Sequence, residues 1–277
     1  MIRIYRLTLL LLLTSTSILY AQNDTSFVKR ENFFRRIGND GKLTVQTIGA
    51  TYARPFKWKK KDWVRFGGAI GISAAVTLVD EPISDFFMDN QNRFMDGIGD
   101  IGDFLGQPEH NYPFMFAVWG SGVIFKNEWL RDTGIMLFAS VTTSGILQTI
   151  SKEVVGRARP LVGEGVYGFK PFDGTASYHS FPSGHTMLAL ATAWIMAHQV
   201  NYMPLKVVFY SIPVVVGVAR IYDQAHWASD VLLGSALGIA CAETVIRVYP
   251  KFKEKLNKNQ GLTILPTGRG LSLTYRF

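Results

Sequence analysis

The sequence predicts an all-α protein, a membrane-embedded bundle of six helices that ends in a short β-hairpin. Apolar residues make up 48% of the 277-residue chain and charged residues only 18%, below the roughly 25% of soluble domains. Alternating stretches at 262–265 and 271–277, with Pro266, Gly268 and Gly270 between them, predict the hairpin. Six apolar segments predict the helices, at about 66–79, 112–125, 133–150, 186–200, 205–221 and 231–248.

The length of these segments leaves two arrangements open. Most are shorter than the ~20 residues that span a bilayer comfortably, so they fit either tilted spans or the helices of a buried bundle. Outside them, the weak alternation of 43–48 predicts a short strand. In the acidic link after the first segment, apolar residues at helical spacing predict a short amphipathic helix near 98–105.

The ends of the chain differ in composition from its middle. Residues 1–21 combine the basic Arg3 and Arg6 with an apolar run, and they predict a secretory signal cleaved after Ala21 or an uncleaved anchor. Residues 22–61 are polar and basic, residues 62–250 hold the six apolar segments, and residues 251–277 form a basic linker and the hairpin.

The charge pattern and the single cysteine exclude several classes of protein. The formal net charge is +8, but no basic helix interleaved with aromatic residues and no zinc-ligand spacing occurs, so no nucleic-acid partner is predicted. Cys241 is the only cysteine, which excludes an intrachain disulfide, and we expect it in the core.

The distribution of charge predicts a membrane topology. The chain is basic before the first apolar segment and after the sixth, so the positive-inside rule predicts that both termini are cytoplasmic. A cleaved signal contradicts this, because it leaves residue 22 outside. Both arrangements allow the polar clusters described next to lie outside the cytoplasm.

Three polar clusters lie among the apolar segments. They are Lys152–Pro160, Pro182–His185, and Arg220 followed by His226 and Asp230. Phosphoryl transfer requires stabilisation of negative charge on three equatorial oxygens. Lys152, Arg159 and Arg220 are candidates for this role, since arginine forks and lysine charges suit phosphate oxygens. Arg157 is expected to be a helix-end cation that faces solvent or headgroups.

The second cluster directly precedes an apolar helix. Free N–H groups at a helix start bind anions, Gly184 lets the backbone approach a ligand closely, and Ser183 can add a hydroxyl donor. The alternative is plain N-capping.

The third cluster pairs a histidine with a carboxylate. His226 and Asp230 are four apart, which on a helix places them on one face. The carboxylate can then fix the tautomer, so that the other imidazole nitrogen is free to attack, while His185 protonates the leaving oxygen. Each feature alone also has a structural explanation, such as a simple hydrogen bond.

Taken together, the clusters carry a family resemblance. The pattern Lys-x6-Arg-Pro, Pro-Ser-Gly-His and Arg-x5-His-x3-Asp resembles the type 2 phosphatidic acid phosphatase superfamily, which includes lipid phosphatases, bacterial class A acid phosphatases and vanadium-dependent haloperoxidases. The resemblance covers roughly residues 60–248. One departure is Ala219, where the family usually has serine.

The resemblance implies an all-α bundle with its site at the helix ends. It also implies that His226 is a nucleophile that forms a phosphohistidine, that Asp230 is its partner and that His185 is the general acid. It implies no metal or other cofactor for the phosphatases. The implied phosphate-binding residues are Lys152, Arg159, Ser183, Gly184 and Arg220.

The favoured function is hydrolysis of a phosphomonoester, or of the terminal phosphate of a diphosphate, on a lipid. The expected partners are a lipid phosphate and membrane lipids. The expected location is the bacterial cell envelope, with the site facing the periplasm. The alternatives are a soluble periplasmic acid phosphatase of broad specificity, a vanadate-dependent haloperoxidase and a non-catalytic membrane scaffold.

Overall fold

A computed structural model describes residues 33–267 and 270–275 of the chain, and the predicted signal or anchor at 1–21 lies outside them. Contacts divide the chain into two compact units, Met1–Gly38 and Asn39–Phe277. The strands β1 (Leu262–Thr267) and β2 (Gly270–Tyr275) pair antiparallel. The described helices are α1 (Phe33–Ala53), α2 (Lys60–Val76), α3 (Asp80–Asp89), α4 (Arg93–Gly106), α5 (Pro108–Ile124), α6 (Glu128–Val155), α7 (Gly184–Gln199), α8 (Met203–Tyr222) and α9 (Ala228–Gly261).

The predicted number of six helices is wrong, because the described part of the chain forms nine. Each predicted apolar segment overlaps one helix, and α4 is the short amphipathic helix predicted near 98–105, whereas α1 and α3 are additional. The predicted strand at 43–48 is also wrong, since these residues lie in α1. Leu43, Thr47 and Thr51 follow one another at intervals of four and are buried, a helical spacing rather than the alternation of a strand.

Four helical stretches of the described residues are long and apolar enough to cross a membrane. They are Lys60–Asp89, Glu128–Val155, Met203–Tyr222 and Ala228–Lys258. The first includes α2 and α3, and the others correspond to α6, α8 and most of α9. Their length and composition are those of a membrane protein.

The core lies between α5, α6, α7 and α9. Met115, Leu137, Ile195 and Val245 are fully buried there, one from each helix. Helices α5 and α6 approach closely, because a Cβ added at Gly134 of α6 would lie 2.5 Å from Trp119 Cβ. This packing holds α6 as the long central helix that leads to the site.

The ends of several helices meet at one end of the bundle. Helix α6 ends at Val155 and is capped by Gly156, whose left-handed φ of 58° favours glycine. Helices α7 and α9 begin there, and α8 ends there. Helix α4 lies directly on this region, since a Cβ at Gly102 would overlap Ala219 and one at Gly106 would lie 2.7 Å from His185 Cβ. The predicted site residues therefore converge on one end of the fold.

Candidate active site

Arg157 is the buried centre of an ion network. It is 2% exposed, and its Nη1 donates to Asp230 Oδ1 at 2.5 Å and to Ser229 Oγ at 2.8 Å. Its Nη2 donates to Asp80 Oδ2 at 2.9 Å. The prediction that Arg157 faces solvent or headgroups is wrong, because two buried carboxylates must be balanced by a cation.

His226 is oriented by a backbone carbonyl rather than by Asp230. Its Nδ1 lies 2.6 Å from the carbonyl oxygen of Ser180. Ser180 Oγ in turn donates to Asp230 Oδ2 at 2.5 Å. The predicted direct pair of His226 and Asp230 on one helix face is wrong, since α9 begins at Ala228 and His226 precedes it. Asp230 acts on His226 through Ser180.

This arrangement defines the form of the His226 ring. A carbonyl oxygen only accepts hydrogen bonds, so Nδ1 carries the proton and Nε2 keeps its lone pair. Burial, followed by the charges of Lys152 and Arg159, lowers the pKa of His226 well below its usual value. The imidazole is therefore neutral at neutral pH, the form that can act as a nucleophile.

Two of the predicted cations, Lys152 and Arg159, lie close enough to lower the pKa of this histidine, and Arg220 lies near Arg159. Lys152 lies in the last turn of α6 and Arg220 in the last turn of α8, while Arg159 follows α6 in the connecting loop. Burial and the nearby Arg220 lower the pKa of Arg159. Among the described residues, the buried Nε atoms of Arg159 and Arg220 have no hydrogen-bond partner. The site therefore offers guanidinium donors to an anion.

Asp103 of α4 is a site residue to which the sequence assigned no role. Its Oδ1 lies 2.8 Å from Arg220 Nη1 and 3.4 Å from His185 Nε2. Gln107 donates a short hydrogen bond to its other oxygen. The helical spacing of apolar residues in α4 predicted the helix, but not the face of the bundle on which it packs.

His185 stands in the first turn of α7, where charges on several elements face it. Burial and the cation Arg220 lower its pKa, Asp103 raises it, Lys152 and Arg159 lower it further, and the result is about 4. In the free protein the ring is therefore neutral near pH 7. Because cations cause part of this shift, a bound dianion would raise the pKa of His185.

The start of α7 is packed more tightly than expected. Ser183 is fully buried, its N–H donates to the Asp230 carbonyl at 3.0 Å, and its Oγ lies 3.0 Å from Thr186 Oγ1. A Cβ at Gly184 would overlap Gln148 Oε1, so a larger residue there would require the Gln148 side chain to move. Both residues thus fasten α7 to its neighbours, and their predicted contacts with phosphate remain predictions.

The neighbouring aromatic and histidine side chains have structural contacts. Trp227 Nε1 donates to the Ala158 carbonyl at 2.9 Å, which holds the loop after α6 against the start of α9. His179 Nε2 lies 3.1 Å from Glu153. Within residues 33–267 and 270–275, no group of three His, Cys, Asp or Glu side chains could hold a metal ion.

The site residues lie in a region that matches a known family. Residues 133–254 match the model of the PAP2 superfamily. Over 241 residues the chain is 35% identical to a lipid A 1-phosphatase of Porphyromonas gingivalis, which covers 82% of this chain and 48% of that protein. Residues 133–254 of the chain belong to the PAP2 superfamily. The resemblance drawn from the three motifs is confirmed.

Two further comparisons extend this PAP2 assignment. A lipid A 1-phosphatase of Rhizobium etli is 36% identical over 107 residues, or 38% of this chain and 45% of that protein. The chain thus spans about half the length of the curated relatives it matches. A transmembrane PAP2-type phosphatidylglycerolphosphate phosphatase of Bacillus subtilis shares the fold, with a TM-score of 0.53 at 24% identity over 72% of this chain and 98% of that structure.

Replacing Arg157 by methionine should destabilise the PAP2 fold. Arg157→Met leaves the buried carboxylates of Asp80 and Asp230 without their cation, so we expect a loss of about 3–5 kcal/mol in unfolding free energy. The measurement is unfolding in detergent. The control is Lys170→Met, which removes a largely exposed ion pair with Glu164 and should change stability by at most about 1 kcal/mol. Equal stability of the two variants would contradict the structural role.

The titration of His185 should depend on bound anion. In free protein the ring should gain its proton only as the pH falls to about 4. A bound dianion such as tungstate should move this midpoint upward by at least about one unit, because it compensates the cations. Nitrogen-15 NMR of labelled histidine measures the shift, and His185→Asn identifies the resonance. An unchanged midpoint with the anion bound would contradict the electrostatic account.

Proposed function

We propose that this PAP2 protein is a metal-independent phosphatase that acts on a lipid. It would hydrolyse a phosphomonoester, or the terminal phosphate of a diphosphate, through a phosphohistidine. One observation carries the proposal: a neutral, buried His226, held through Nδ1 by the Ser180 carbonyl, lies within the field of Lys152 and Arg159. Such a ring directs an unprotonated nitrogen into a cationic site.

In the first step, Nε2 of His226 attacks phosphorus and forms the N–P bond. The bond between phosphorus and the lipid oxygen breaks, and His185 gives its proton to that oxygen. The substrate's own negative charge raises the pKa of His185 on binding, so the acid is protonated when it is needed. The proton on His226 Nδ1 remains hydrogen-bonded to Ser180.

In the second step, water attacks the phosphohistidine. His185, now neutral, takes a proton from the water, the N–P bond breaks, and inorganic phosphate leaves. His226 returns to its neutral form. The two histidines thus complete the cycle without net change.

The cations stabilise the transferring phosphoryl group. Lys152, Arg159 and Arg220 would contact the equatorial oxygens, on which negative charge is spread in the transition state. Ala219 stands where the family usually has serine, and it is fully buried. A serine hydroxyl at this position is not required by the proposed steps.

The names of the relatives suggest which lipids to test first. Relatives named lipid A 1-phosphatase favour a lipid A phosphate, and the similar phosphatidylglycerolphosphate phosphatase of Bacillus subtilis favours phosphatidylglycerol phosphate as the second choice. The four candidate membrane spans support a lipid over a soluble ester. A soluble acid phosphatase of broad specificity remains the alternative outcome of the test.

We also propose that the site faces the periplasm of a bacterial envelope. The Trp129 bond to the Gln199 carbonyl and the Lys253 bond to Asp132 bring the start of α6 together with the ends of α7 and α9. This end lies away from the site and carries Lys126, Lys206, Lys251, Lys253 and Lys255. The acidic residues of α3 and α4 lie near the site. The positive-inside rule then places the site outside.

Loss of the His226 imidazole should abolish turnover. His226→Ala removes the proposed nucleophile, so phosphate release should fall by more than about 1,000-fold. The measurement is phosphate release from lipid A 1-phosphate, phosphatidylglycerol phosphate and p-nitrophenyl phosphate. His198→Ala is the control, because His198 is exposed near the far end of α7. Activity of His226→Ala at the parent rate would refute the mechanism.

The same assay separates the alternatives. Preference for one lipid supports the lipid phosphatase, and faster turnover of p-nitrophenyl phosphate than of either lipid supports the soluble acid phosphatase. EDTA should leave the rate unchanged. Loss of activity in EDTA that a divalent ion restores would overturn the metal-independent proposal.

The orientation can be tested with two cysteine variants. Leu161 is 74% exposed in the loop at the site, and Met203 is 66% exposed at the start of α8. In a Cys241→Ala background, an impermeant maleimide added to spheroplasts should label Leu161→Cys, and it should label Met203→Cys only after lysis. The reverse pattern would place the site in the cytoplasm.

A further inference from the structure

A groove lies beside His185, between α5, α6 and α7. It encloses about 350 Å³, at the lower end of the range typical of ligand sites. Its walls are mainly apolar, and they include Pro108 and Tyr112 of α5, Ile146 and Ile150 of α6, and Leu188 of α7. We call this space the α5/α6 groove.

Two contacts join the α5/α6 groove to the catalytic site. Gln148 lines the groove, and its Oε1 packs against Gly184, the residue before His185. Gly106 precedes the groove residue Pro108 by two positions, and a Cβ there would lie 2.7 Å from His185 Cβ. The walls of the groove therefore adjoin the first turn of α7, which carries His185, the residue assigned as general acid.

The outer side of the groove is apolar and exposed, and its inner end carries a polar atom. Ile146 and Ile150 are 44% and 56% exposed on α6, one of the helices long and apolar enough to span a membrane. At the inner end, Gln148 Oε1 is buried and has no hydrogen-bond partner in the described part of the chain. A ligand that is apolar outward and carries a hydrogen-bond donor near the site would satisfy both features.

We propose that the α5/α6 groove binds a hydrocarbon chain of the lipid phosphate, on the leaving-group side of the reaction. This inference rests on the proposed function, in which His185 protonates the leaving oxygen. Since the lipid is attached to that oxygen, it must extend from His185 and not from His226. Gln148 Oε1 accepts a hydrogen bond from a hydroxyl or amide group of the lipid close to the ester.

A second cavity provides the comparison. It encloses about 210 Å³ and is lined by Ile70, Arg157, Phe181 and Leu233. Arg157 binds Asp230, and Phe181 follows Ser180, so this cavity adjoins the residues that support His226. In an in-line displacement the nucleophile and the leaving group lie on opposite sides of phosphorus. The second cavity thus lies on the side of the nucleophile, whereas the lipid leaves on the opposite side of phosphorus.

The test fills each cavity in turn. A Cβ at Gly145 has Tyr112 Oη at 3.9 Å and Leu188 Cδ2 at 4.0 Å as its nearest neighbours, so Gly145→Phe can enter the α5/α6 groove without strain at Cβ. Ala74 lines the second cavity, and Ala74→Phe is the matched control. The substrates are dioleoyl and dihexanoyl phosphatidic acid in mixed micelles, and p-nitrophenyl phosphate.

Gly145→Phe should lower kcat/KM for the dioleoyl substrate by at least about tenfold, with a smaller loss for the dihexanoyl substrate. For p-nitrophenyl phosphate the rate should stay within about twofold, because that ester has no chain to exclude. Ala74→Phe should show no dependence on chain length. Equal losses on all three substrates, or a chain-length effect in Ala74→Phe alone, would overturn the assignment.

A binding experiment separates this inference from the proposed function. The His226→Ala variant, which should bind the lipid without hydrolysing it, is mixed with phosphatidic acid that carries a diazirine in its acyl chain. Photolysis crosslinks the chain to the protein, and the labelled peptides are identified by mass spectrometry. Labels in 108–112 and 142–150 that Gly145→Phe suppresses support the groove, whereas labels in 70–77 or at Leu233 overturn it. If the parent protein hydrolyses p-nitrophenyl phosphate but no lipid, the proposed function fails, and the labelling still decides where a chain binds.

Discussion

The buried ion network of Arg157 is the constraint on which the site depends. One guanidinium is shared by Asp80 from α3 and Asp230 from α9, and both carboxylates are fully buried. Removal of one partner from such a network leaves a desolvated charge, which is far costlier than an unmade surface contact. Arg157 lies just past the end of α6, so the network fastens three helices and the loop at one place.

The ion network of Arg157 also holds His226 in position. Arg157 holds Asp230, Asp230 accepts from the Ser180 hydroxyl, and the Ser180 carbonyl accepts from the imidazole. The chain of bonds runs from a buried charge to a neutral ring that is 2% exposed. The proposed nucleophile is thereby kept in one orientation and one tautomer by groups to which no phosphate contact is assigned.

The motif residues could be predicted from the sequence, but their contacts could not. Spacing and residue type were sufficient to predict that Lys152, Arg159 and Arg220 lie in one site with His185 and His226. Each motif lies where an apolar segment begins or ends, so the motifs meet where the helix ends meet. Residue types carry no information about a backbone acceptor, so the Ser180 carbonyl was missed. Asp80 and Asp103 lay in an acidic link, where a buried partner and a solvent-facing carboxylate have the same sequence signature. The helix count failed for a related reason. Helices α1 and α3 are not strongly apolar, so they lack the signal that marked the six apolar segments and the amphipathic helix α4.

Asp103 lowers the free energy that an anion can gain by binding to Arg220. The guanidinium already contacts Asp103 at 2.8 Å and Asp223 at 2.5 Å. In the proposed complex, phosphate would meet Arg220 Nε, which has no hydrogen-bond partner within the residues that the structure describes. It would also compete with the two carboxylates for the terminal nitrogens, so any carboxylate pair that is lost would reduce the net binding free energy. Competition of this kind would weaken the binding of both the substrate and the released phosphate in the proposed reaction. An enzyme that binds its product loosely is free sooner for the next turnover, which favours rate over affinity.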